Sequence, residues 1–253
     1  MKVKEKKFKR LFFDIETSPN VVFSWSTGYK LNIPHENILT ERAIICICYK
    51  YENDKNVQYL TWDKGNDLKM LKEFSKILND ADEVIGHNCD RFDIKWFRTR
   101  CLKYGINITP YITSIDTLKE AKKYFRFNSN RLDYIGQYLG VGRKMETGGF
   151  QLWKDIVLKN SRVAMVTIVN YCKQDVELLE KVFHKFNPYI KHKTHVGMLS
   201  DVENKGLCPE CNSTKIHKHK LRVSAAGRYS QQYRCSSCGK YHTVSVRKEN
   251  VEL

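Results

Sequence analysis

Runs of apolar residues separated by polar turns over the first sixty positions predict three β-strands. The first covers residues 8–16 (FKRLFFDIE), and the next two cover residues 43–51 (AIICICYKY) and 56–62 (NVQYLTW). All three are rich in the aromatic and aliphatic residues that suit a pleated, buried surface. The polar stretch ENDK between the last two supplies the residues of a turn. We therefore expect an antiparallel meander.

The spacing of apolar residues becomes helical from Asp67 onward. Leu68, Leu71 and Phe74 lie three positions apart, as they would on one buried face of a helix. Short strand patterns then alternate with helical ones, and Ser161 suits the N-cap of the last pattern, which is one long helix or a pair. The predicted segments are strands at 83–88 and 112–118 and helices at 92–105, 132–140 and 161–186. This order predicts an α/β fold, with helices on the faces of a mixed sheet.

The helical pattern stops near Pro188, where a polar stretch without periodicity begins. We place a linker at residues 189–204, between a large domain at residues 1–188 and a small one at residues 205–253. Beyond the linker, the apolar stretches LRV and HTVSV read as short strands.

The net charge of the chain indicates which class of partner it binds. The 253 residues include 44 Lys and Arg against 28 Asp and Glu, a formal net charge of +16. Such an excess favours a polyanion, because binding to phosphates releases condensed counterions. A basic but merely soluble protein is the plain alternative. No apolar run approaches the ~20 residues that span a bilayer, and the N-terminal apolar run at residues 11–13 is far shorter than that of a signal peptide. We expect an intracellular protein with no membrane partner.

Two acids in the first strand are the first chemical signal. Asp14 and Glu16 are two positions apart, so their carboxylates project from the same face of a strand. Close carboxylates resist joint ionisation unless a cation compensates them, and Mg²⁺ or Mn²⁺ prefers such oxygen ligands. The ordinary alternative is a strand end that emerges into solvent.

Further acids occur in two later segments. Asp93 follows an apolar strand and opens a helix, where ligands collect in α/β folds. Asp90 is nearby, but Asp93 is preferred because it leads directly into the amphipathic IKWF. Tyr171 and Asp175 are four residues apart, so a helix places both on one face. Each fragment also has an ordinary explanation when it is taken alone. Asp93 would be a helix N-cap, and Tyr171 and Asp175 would be an aromatic–acid pair on the surface of a helix.

Together these fragments resemble one known pattern. DIET in the first strand, NCDRFD after a central strand and YCKQD in a late helix are similar to the three exonuclease motifs of the DEDD superfamily, in its tyrosine subgroup. The segments DIETSP, SIDTL and LDYIGQYLGVGRK most resemble the sequences of the proofreading domains of family B DNA polymerases. The resemblance covers roughly residues 8–186, and it implies a ribonuclease H-like fold.

The resemblance also implies a chemistry and a set of roles. The activity would be 3′–5′ exonuclease hydrolysis by two Mg²⁺ or Mn²⁺ ions, releasing nucleoside 5′-monophosphates. The metal ligands would be Asp14, Glu16, Asp93 and Asp175, with Tyr171 positioning the attacking water.

Substrate contacts follow from the same resemblance. Asn88 would touch the substrate near the scissile end, Thr17 the terminal nucleotide, and Lys144 a phosphate. Phe92, like Trp96, offers a ring on which a terminal base can stack, and is equally well explained as core. Asp116 matches an acidic position that recurs in this family. A structural role is one interpretation of this residue. DNA is favoured over RNA through the resemblance alone, and a replication or repair protein is a further candidate partner.

Nine cysteines divide into two groups. Five are scattered through apolar or helical surroundings and are interpreted as small buried residues: Cys46, Cys48, Cys89, Cys101 and Cys172. The other four form two CxxC pairs separated by 23 residues, a spacing that suits one structural Zn²⁺: Cys208, Cys211, Cys235 and Cys238. This segment resembles a zinc ribbon, whereas two redox pairs would require a thioredoxin-like βα context.

Basic and aromatic residues surround these cysteines, among them Lys218, Arg222, Tyr233 and Arg234. Such a mixture favours a nucleic-acid surface, with a solvated face as the alternative. Three other functions remain open for the whole chain. One is a nucleic-acid-binding module with a vestigial nuclease fold, and another is a structure-selective endonuclease. In the third, the ribbon carries the main function, in transcription or transposition, and the nuclease domain is secondary.

Overall fold

The computed structural model describes residues 8–28, 30–191, 193–196 and 206–247. Ten strands and six helices occur in these residues, together with 3₁₀ turns at His35–Asn37 and Asn187–Tyr189. In chain order they are β1 (Arg10–Thr17), β2 (Val21–Val22), β3 (Ile38–Thr40), β4 (Ile44–Tyr51), β5 (Gln58–Thr61), α1 (Leu68–Asp80), β6 (Glu83–Gly86), α2 (Asp93–Lys103), β7 (Ser114–Asp116), α3 (Thr117–Tyr124), α4 (Leu132–Tyr138), α5 (Gln151–Lys159), α6 (Arg162–Phe186), β8 (Ile216–Val223), β9 (Tyr229–Cys235) and β10 (Tyr241–Ser245).

A five-stranded mixed sheet forms the centre of the larger part of the chain. Its strand order is β5-β4-β1-β6-β7. β1 pairs antiparallel with β4 and parallel with β6, β4 pairs antiparallel with β5, and β6 pairs parallel with β7. The predicted meander is confirmed, since β1, β4 and β5 are adjacent. β1 is central because its apolar run Leu11–Phe13 is buried on both faces of the sheet.

Helices cover the faces of this sheet. The 25-residue helix α6 lies against β1 and β4, and the ring of Phe183 meets that of Phe12 edge-on at 5.5 Å. Phe74 of α1 packs its ring 5.6 Å from Phe13 and 5.1 Å from Phe97 of α2. The pattern at 161–186 left one helix or two open, and the structure shows a single helix that Ser161 caps by accepting a hydrogen bond from Ala164 N. The mixed sheet flanked by helices confirms the predicted fold class.

A buried ion pair ties α2 to the start of α1. Arg100 donates two hydrogen bonds to Asp67, at 2.7 and 2.8 Å, and the side chains are 7% and 0% exposed. The same Asp67 carboxylate accepts the backbone N–H of Ile44, at the first residue of β4. Three elements therefore depend on one carboxylate.

Replacing Arg100 with Met is expected to destabilise the fold by about 3–5 kcal/mol, because Asp67 would keep a buried charge without its partner. Urea unfolding followed by circular dichroism measures this loss. The double variant Arg100→Met/Asp67→Asn should recover part of it, since the stranded charge is gone. A loss below about 1 kcal/mol for the single variant would contradict a structural role for the pair.

The C-terminal part forms a separate three-stranded antiparallel sheet in the order β10-β9-β8. The predicted strands LRV and HTVSV lie within or at β8 and β10, and β9 is the strand that the apolar pattern did not single out, because its Gln231 and Gln232 are polar. Much of the predicted linker, residues 192 and 197–204, lies outside the described residues. Within the described ranges, none of the helices combines the length and apolar composition needed to cross a membrane.

Candidate active site

Strand β1 brings two carboxylates to the centre of the sheet. Asp14 and Glu16 lie opposite Cys48 and Cys46 of β4, and the pairing becomes irregular between Glu16 and Thr17, where the strand ends. One carboxylate oxygen from each of Asp14, Glu16 and Asp175 lies within 4.8 Å of the others. The i, i+2 spacing therefore places both acids of β1 beside the same residue of α6.

Asp93 is joined to the same strand by a backbone contact. Its Oδ1 accepts the N–H of Ile15 at 3.0 Å, and the residue is only 2% exposed. Asp93 is the first residue of α2, which places its carboxylate at the positive end of the helix dipole. The nearby Asp90 points to other partners, Ser114 Oγ at 2.5 Å and Lys119 Nζ at 2.6 Å. Of these two acids, Asp93 is the one that contacts β1.

Helix α6 supplies the remaining pair. Tyr171 and Asp175 share one face of the helix, as the spacing predicted, and Lys144 bridges them. The Lys144 ammonium donates to Asp175 Oδ2 at 2.5 Å and to the Tyr171 hydroxyl at 3.2 Å. The other oxygen, Asp175 Oδ1, is buried and accepts no hydrogen bond from any described residue. An orphaned buried oxygen in this position fits a metal ligand.

The electrostatics of the cluster favour a cation. Burial, reinforced by Asp93 and Glu16, raises the pKa of Asp14 well above its usual range. Burial and the charge of Asp175 raise the pKa of Glu16 to about 8, and burial raises that of Asp93 to about 7. Carboxyls in this state hold protons near neutral pH unless a positive ion compensates them.

Lys144 supplies part of that compensation. Its charge lowers the pKa of the neighbouring carboxyls, although burial still leaves the pKa of Asp175 raised. Burial and the charge of Asp175 also raise the pKa of Tyr171 to about 12, so its phenol is neutral at physiological pH. A neutral phenol can donate or accept a hydrogen bond, which suits the orientation of a water molecule. Hard divalent cations that prefer carboxylate oxygens match this donor set.

The end of β1 carries a second group of contacts, which the sequence did not single out as a unit. The Thr17 hydroxyl accepts Arg42 Nη2 at 3.0 Å, and the Thr17 carbonyl accepts Trp153 Nε1 at 3.2 Å. The Arg42 guanidinium lies over the ring of Trp96, 4.8 Å from its centroid, and Phe92 meets Trp96 edge-on at 6.5 Å. Arg42 and Trp153 were missed, since neither lies in a recognisable motif.

Asn88 lies where β6 turns toward α2. Its φ of 67° is left-handed, and its backbone N–H donates to Asp116 Oδ1 at 2.8 Å. The same Asp116 oxygen accepts Leu118 N at 3.0 Å and so caps α3. Asp116 therefore fixes the turn that carries Asn88.

A cleft of about 1510 Å³ opens beside these residues. Asn88, Lys144 and Tyr171 line one part of it, whereas the four carboxylates do not. Lys144 also contacts Asp175, so the cleft adjoins the carboxylate cluster through this side chain. Its other lining residues include the basic side chains Lys122, Arg131 and Arg143. A polar, basic cleft at a carboxylate cluster suits a phosphate-bearing ligand.

The five scattered cysteines are all buried, as predicted. Three of them converge, with the thiols of Cys46, Cys48 and Cys172 within 4.8 Å of one another. The Cys172 thiol also lies 3.5 Å from Asp14 Oδ2. Cys46 and Cys48 are the cross-strand partners of Glu16 and Asp14, so these small residues pack beside the carboxylates, a convergence that their sequence spacing did not reveal.

The C-terminal cysteines form a second cluster. Cys208 Sγ lies 3.6 Å from Cys238 Sγ, and Cys211 Sγ lies 3.7 Å from Cys235 Sγ. All four thiols lie within 4.8 Å of one another. A tetrahedral Zn²⁺ with bonds of about 2.3 Å holds its sulfurs about 3.8 Å apart, so the set fits that ion. Gly239, at φ 75°, makes the tight turn after the second pair.

A family profile of the RNase_H superfamily matches residues 34–187, which is more than half of the chain. The chain belongs to the RNase_H superfamily. The match includes Asp93 and Asp175 and begins after β1, so Asp14 and Glu16 lie outside it. The superfamily assignment explains the mixed sheet and its flanking helices.

Relatives of this RNase_H superfamily protein include two DNA polymerases. One, from Archaeoglobus fulgidus, is 26% identical over 151 residues, covering 52% of this chain and 18% of the relative. The other, from Thermococcus hydrothermalis, is 28% identical over 116 residues, covering 42% of this chain and 6% of the relative. The chain thus matches less than a fifth of the length of either.

Among solved structures, the family B DNA polymerase from Pyrobaculum calidifontis superimposes with a TM-score of 0.56 at 16% identity. The match covers 72% of this chain and 25% of the polymerase. At this identity the likeness concerns the fold, which it shares with part of that polymerase.

Proposed function

We propose that the protein is a metal-dependent 3′–5′ exonuclease. The observation that carries the proposal is the convergence of Asp14, Glu16 and Asp175, with Asp93 held against the same strand by Ile15 N. These acids come from three distant segments, and their mutual repulsion favours divalent cations at this point. Mg²⁺ or Mn²⁺, proposed as two ions, would lower the pKa of a bound water and stabilise the leaving 3′ oxygen.

Each side chain around those ions has its own proposed role. The four carboxylates hold the positive charge in place, and Asp93 is oriented by its backbone contact. Tyr171 orients the attacking water through its hydroxyl, which Lys144 contacts at 3.2 Å. Lys144 carries a positive charge at the edge of the cleft, where it can contact a phosphate of the substrate. Asn88 and Thr17 are proposed to contact the last nucleotides, with Phe92 as a stacking surface.

We propose DNA with a free 3′ end as the substrate. The two relatives are named DNA polymerase, and the net charge of +16 suits a polyanion. The product of each cycle would be a nucleoside 5′-monophosphate. We further propose that the protein acts inside the cell, alone or with a replication or repair protein.

The C-terminal sheet is proposed to be a zinc ribbon that binds one structural Zn²⁺ through Cys208, Cys211, Cys235 and Cys238. The proposed organisation is an exonuclease domain up to residue 188, a linker to residue 204, and the ribbon from residue 205. Its exposed basic strand, with Lys218 and Arg222, suits contact with nucleic acid.

The test is cleavage of oligonucleotides labelled at either end, with Mn²⁺ and then with EDTA. A 3′–5′ exonuclease releases the 3′ label at once as a mononucleotide and shortens the 5′-labelled strand in a ladder. A vestigial fold would bind without cleaving, and a structure-selective endonuclease would give internal cuts near junctions. Parallel assays with single-stranded DNA, duplex DNA and RNA identify the substrate class. Binding without cleavage in Mn²⁺ would overturn the proposal.

Tyr171→Phe is expected to slow cleavage by about 10- to 100-fold, because the water loses the group that orients it. The carboxylates remain, so Mn²⁺ affinity measured by calorimetry should stay within about twofold. Tyr138→Phe, an exposed tyrosine on α4, is the matched control. A rate equal to the wild-type rate would remove Tyr171 from the proposed mechanism.

A further inference from the structure

The cysteine-bearing turns of the ribbon are joined to the larger domain by buried charges. Glu210 lies between Cys208 and Cys211, and its Oε1 meets Arg10 Nη2 of β1 at 3.0 Å. Both side chains are almost fully buried, at 7% and 5% exposure. This contact therefore excludes water, unlike a surface ion pair.

A second residue of the turns completes the junction. Lys240 follows Cys238 and Gly239, is 2% exposed, and donates to Glu210 Oε2 at 2.9 Å and to Asn187 Oδ1 at 2.6 Å. Asn187 in turn donates its Nδ2 to Glu210 Oε1 at 2.8 Å. Asn187, directly after α6, thus contacts both Glu210 and Lys240, which lie beside the two pairs of cysteines and contact each other.

Arg10 extends the junction into the central sheet. It donates to Glu83 of β6 at 2.8 Å and to Glu52 at 3.1 Å, and its guanidinium lies 5.0 Å from the ring centroid of Phe183. Glu83 is only 1% exposed on its side chain. Arg10 is thus shared between two buried carboxylates, Glu83 and Glu210, and withdrawal of Glu210 would leave the buried Lys240 without its carboxylate partner.

The position of both ribbon residues depends on the cysteines. Glu210 is enclosed by the first CxxC pair, and the Lys240 carbonyl accepts the N–H of Cys235 at 2.9 Å. Four thiols without an ion have little to hold these turns together, because a domain of this size draws its folding free energy from the metal. The arrangement of the junction is therefore tied to the state of the thiols.

We propose that zinc binding by the ribbon is coupled to the stability of the nuclease sheet through the junction of Arg10, Glu83, Asn187, Glu210 and Lys240. The inference rests on the zinc site proposed above. Zinc fixes Glu210 and Lys240, which in turn fix the first residue of β1 and the first residue of β6. The ribbon is then an integral support of the strand that bears Asp14 and Glu16, rather than a tethered module.

Hydrogen exchange of the full chain, with and without zinc, tests this coupling. Amides near Arg10–Phe12 and Glu83–Ile85 should exchange at least tenfold more slowly in the zinc-loaded protein. In Glu210→Ala the four cysteines remain, so zinc content should stay at one per chain while the zinc-dependent protection of both strands is lost. Lys220→Ala, on the exposed surface of β8, is the control and should keep both zinc and protection.

A second variant, on the side of the junction that belongs to the larger domain, controls for distortion of the ribbon by the Glu210 substitution. Arg10→Met leaves the cysteine turns unchanged and should abolish the zinc dependence of exchange at Glu83–Ile85. One zinc per chain with equal exchange rates in the two states would overturn the coupling alone. Persistent zinc-dependent protection in both Glu210→Ala and Arg10→Met would do the same. A wild-type chain that holds no zinc would overturn the zinc site, and the coupling with it.

Discussion

Asp14→Ala is expected to lower the cleavage rate by at least about 10³-fold while leaving the protein folded. Asp14 lies on the central strand, with an oxygen within 4.8 Å of Glu16 and Asp175 oxygens, so its loss removes a ligand proposed to hold the ions. Loss of metal-based charge stabilisation worth about 4 kcal/mol corresponds to that factor. Burial and neighbouring acids destabilise the Asp14 charge in the ion-free protein, so the variant should be at least as stable as the wild type.

The pairing of lost activity with retained stability distinguishes this variant from a misfolded one. Rates on a 5′-labelled oligonucleotide in Mn²⁺ and thermal unfolding without metal are the two measurements. Glu177→Ala is the matched control, because Glu177 is an exposed carboxylate on α6 two residues from Asp175. It should retain nearly the full rate. An Asp14→Ala protein that still cleaves within tenfold of wild type would overturn the assigned site.

Local periodicity was sufficient to predict which side chains share a face, but not that the acids converge. The i, i+2 spacing of Asp14 and Glu16 and the i, i+4 spacing of Tyr171 and Asp175 fix which face each side chain occupies, whatever the tertiary packing. The structure brings the two pairs together because β1 is central and α6 lies across it. That the two pairs lie together was inferred from the resemblance to known exonuclease motifs, because periodicity describes only residues that are close in sequence.

Contacts between segments without motifs could not be predicted in this way. Arg42 reaches Thr17 across 25 residues, and Trp153 reaches it across 136. The junction of Arg10 with Glu210 joins opposite ends of the described chain. Arginine and glutamate are common on surfaces, so only the packed structure distinguishes Arg42, Arg10 and Glu210 from solvated side chains. The polar strand β9 escaped prediction for a similar reason, since its pairing comes from its neighbours and not from its own apolar residues.

The affinity of the site for Mn²⁺ is expected to rise by roughly tenfold or more per pH unit between pH 6 and pH 7 and to rise less steeply above about pH 8. In the ion-free protein, burial and neighbouring charges raise the pKa of Glu16 to about 8 and that of Asp93 to about 7. Below these values a proton occupies the carboxyl that the metal requires, and binding must release it. One released proton corresponds to tenfold per pH unit, since the two ligands compete for one site.

The sign of the stability change in the ion-free protein follows from the same shifts. A carboxyl whose pKa is raised on folding binds its proton more tightly in the folded state, so its charge destabilises the fold as pH rises from about 4.5 to about 8. Glu16→Gln removes this penalty and should raise the unfolding midpoint of the ion-free protein at pH 8 but not at pH 4. The same variant should lose the part of the pH dependence of Mn²⁺ binding that comes from Glu16, chiefly between pH 7 and pH 8, while Asp93 maintains the dependence below pH 7.

Titration calorimetry in two buffers of different ionisation enthalpy measures the protons released when Mn²⁺ binds. We expect at least one proton at pH 6.5 and fewer at pH 9. Glu177→Gln, at an exposed position on α6, should match the wild type at both pH values. Release of no protons at pH 6.5 would mean that the carboxyls are already ionised in the ion-free protein. Lys144 would then be the counter-charge that keeps them so, through its contact with Asp175, and metal binding would have to displace an ammonium rather than protons.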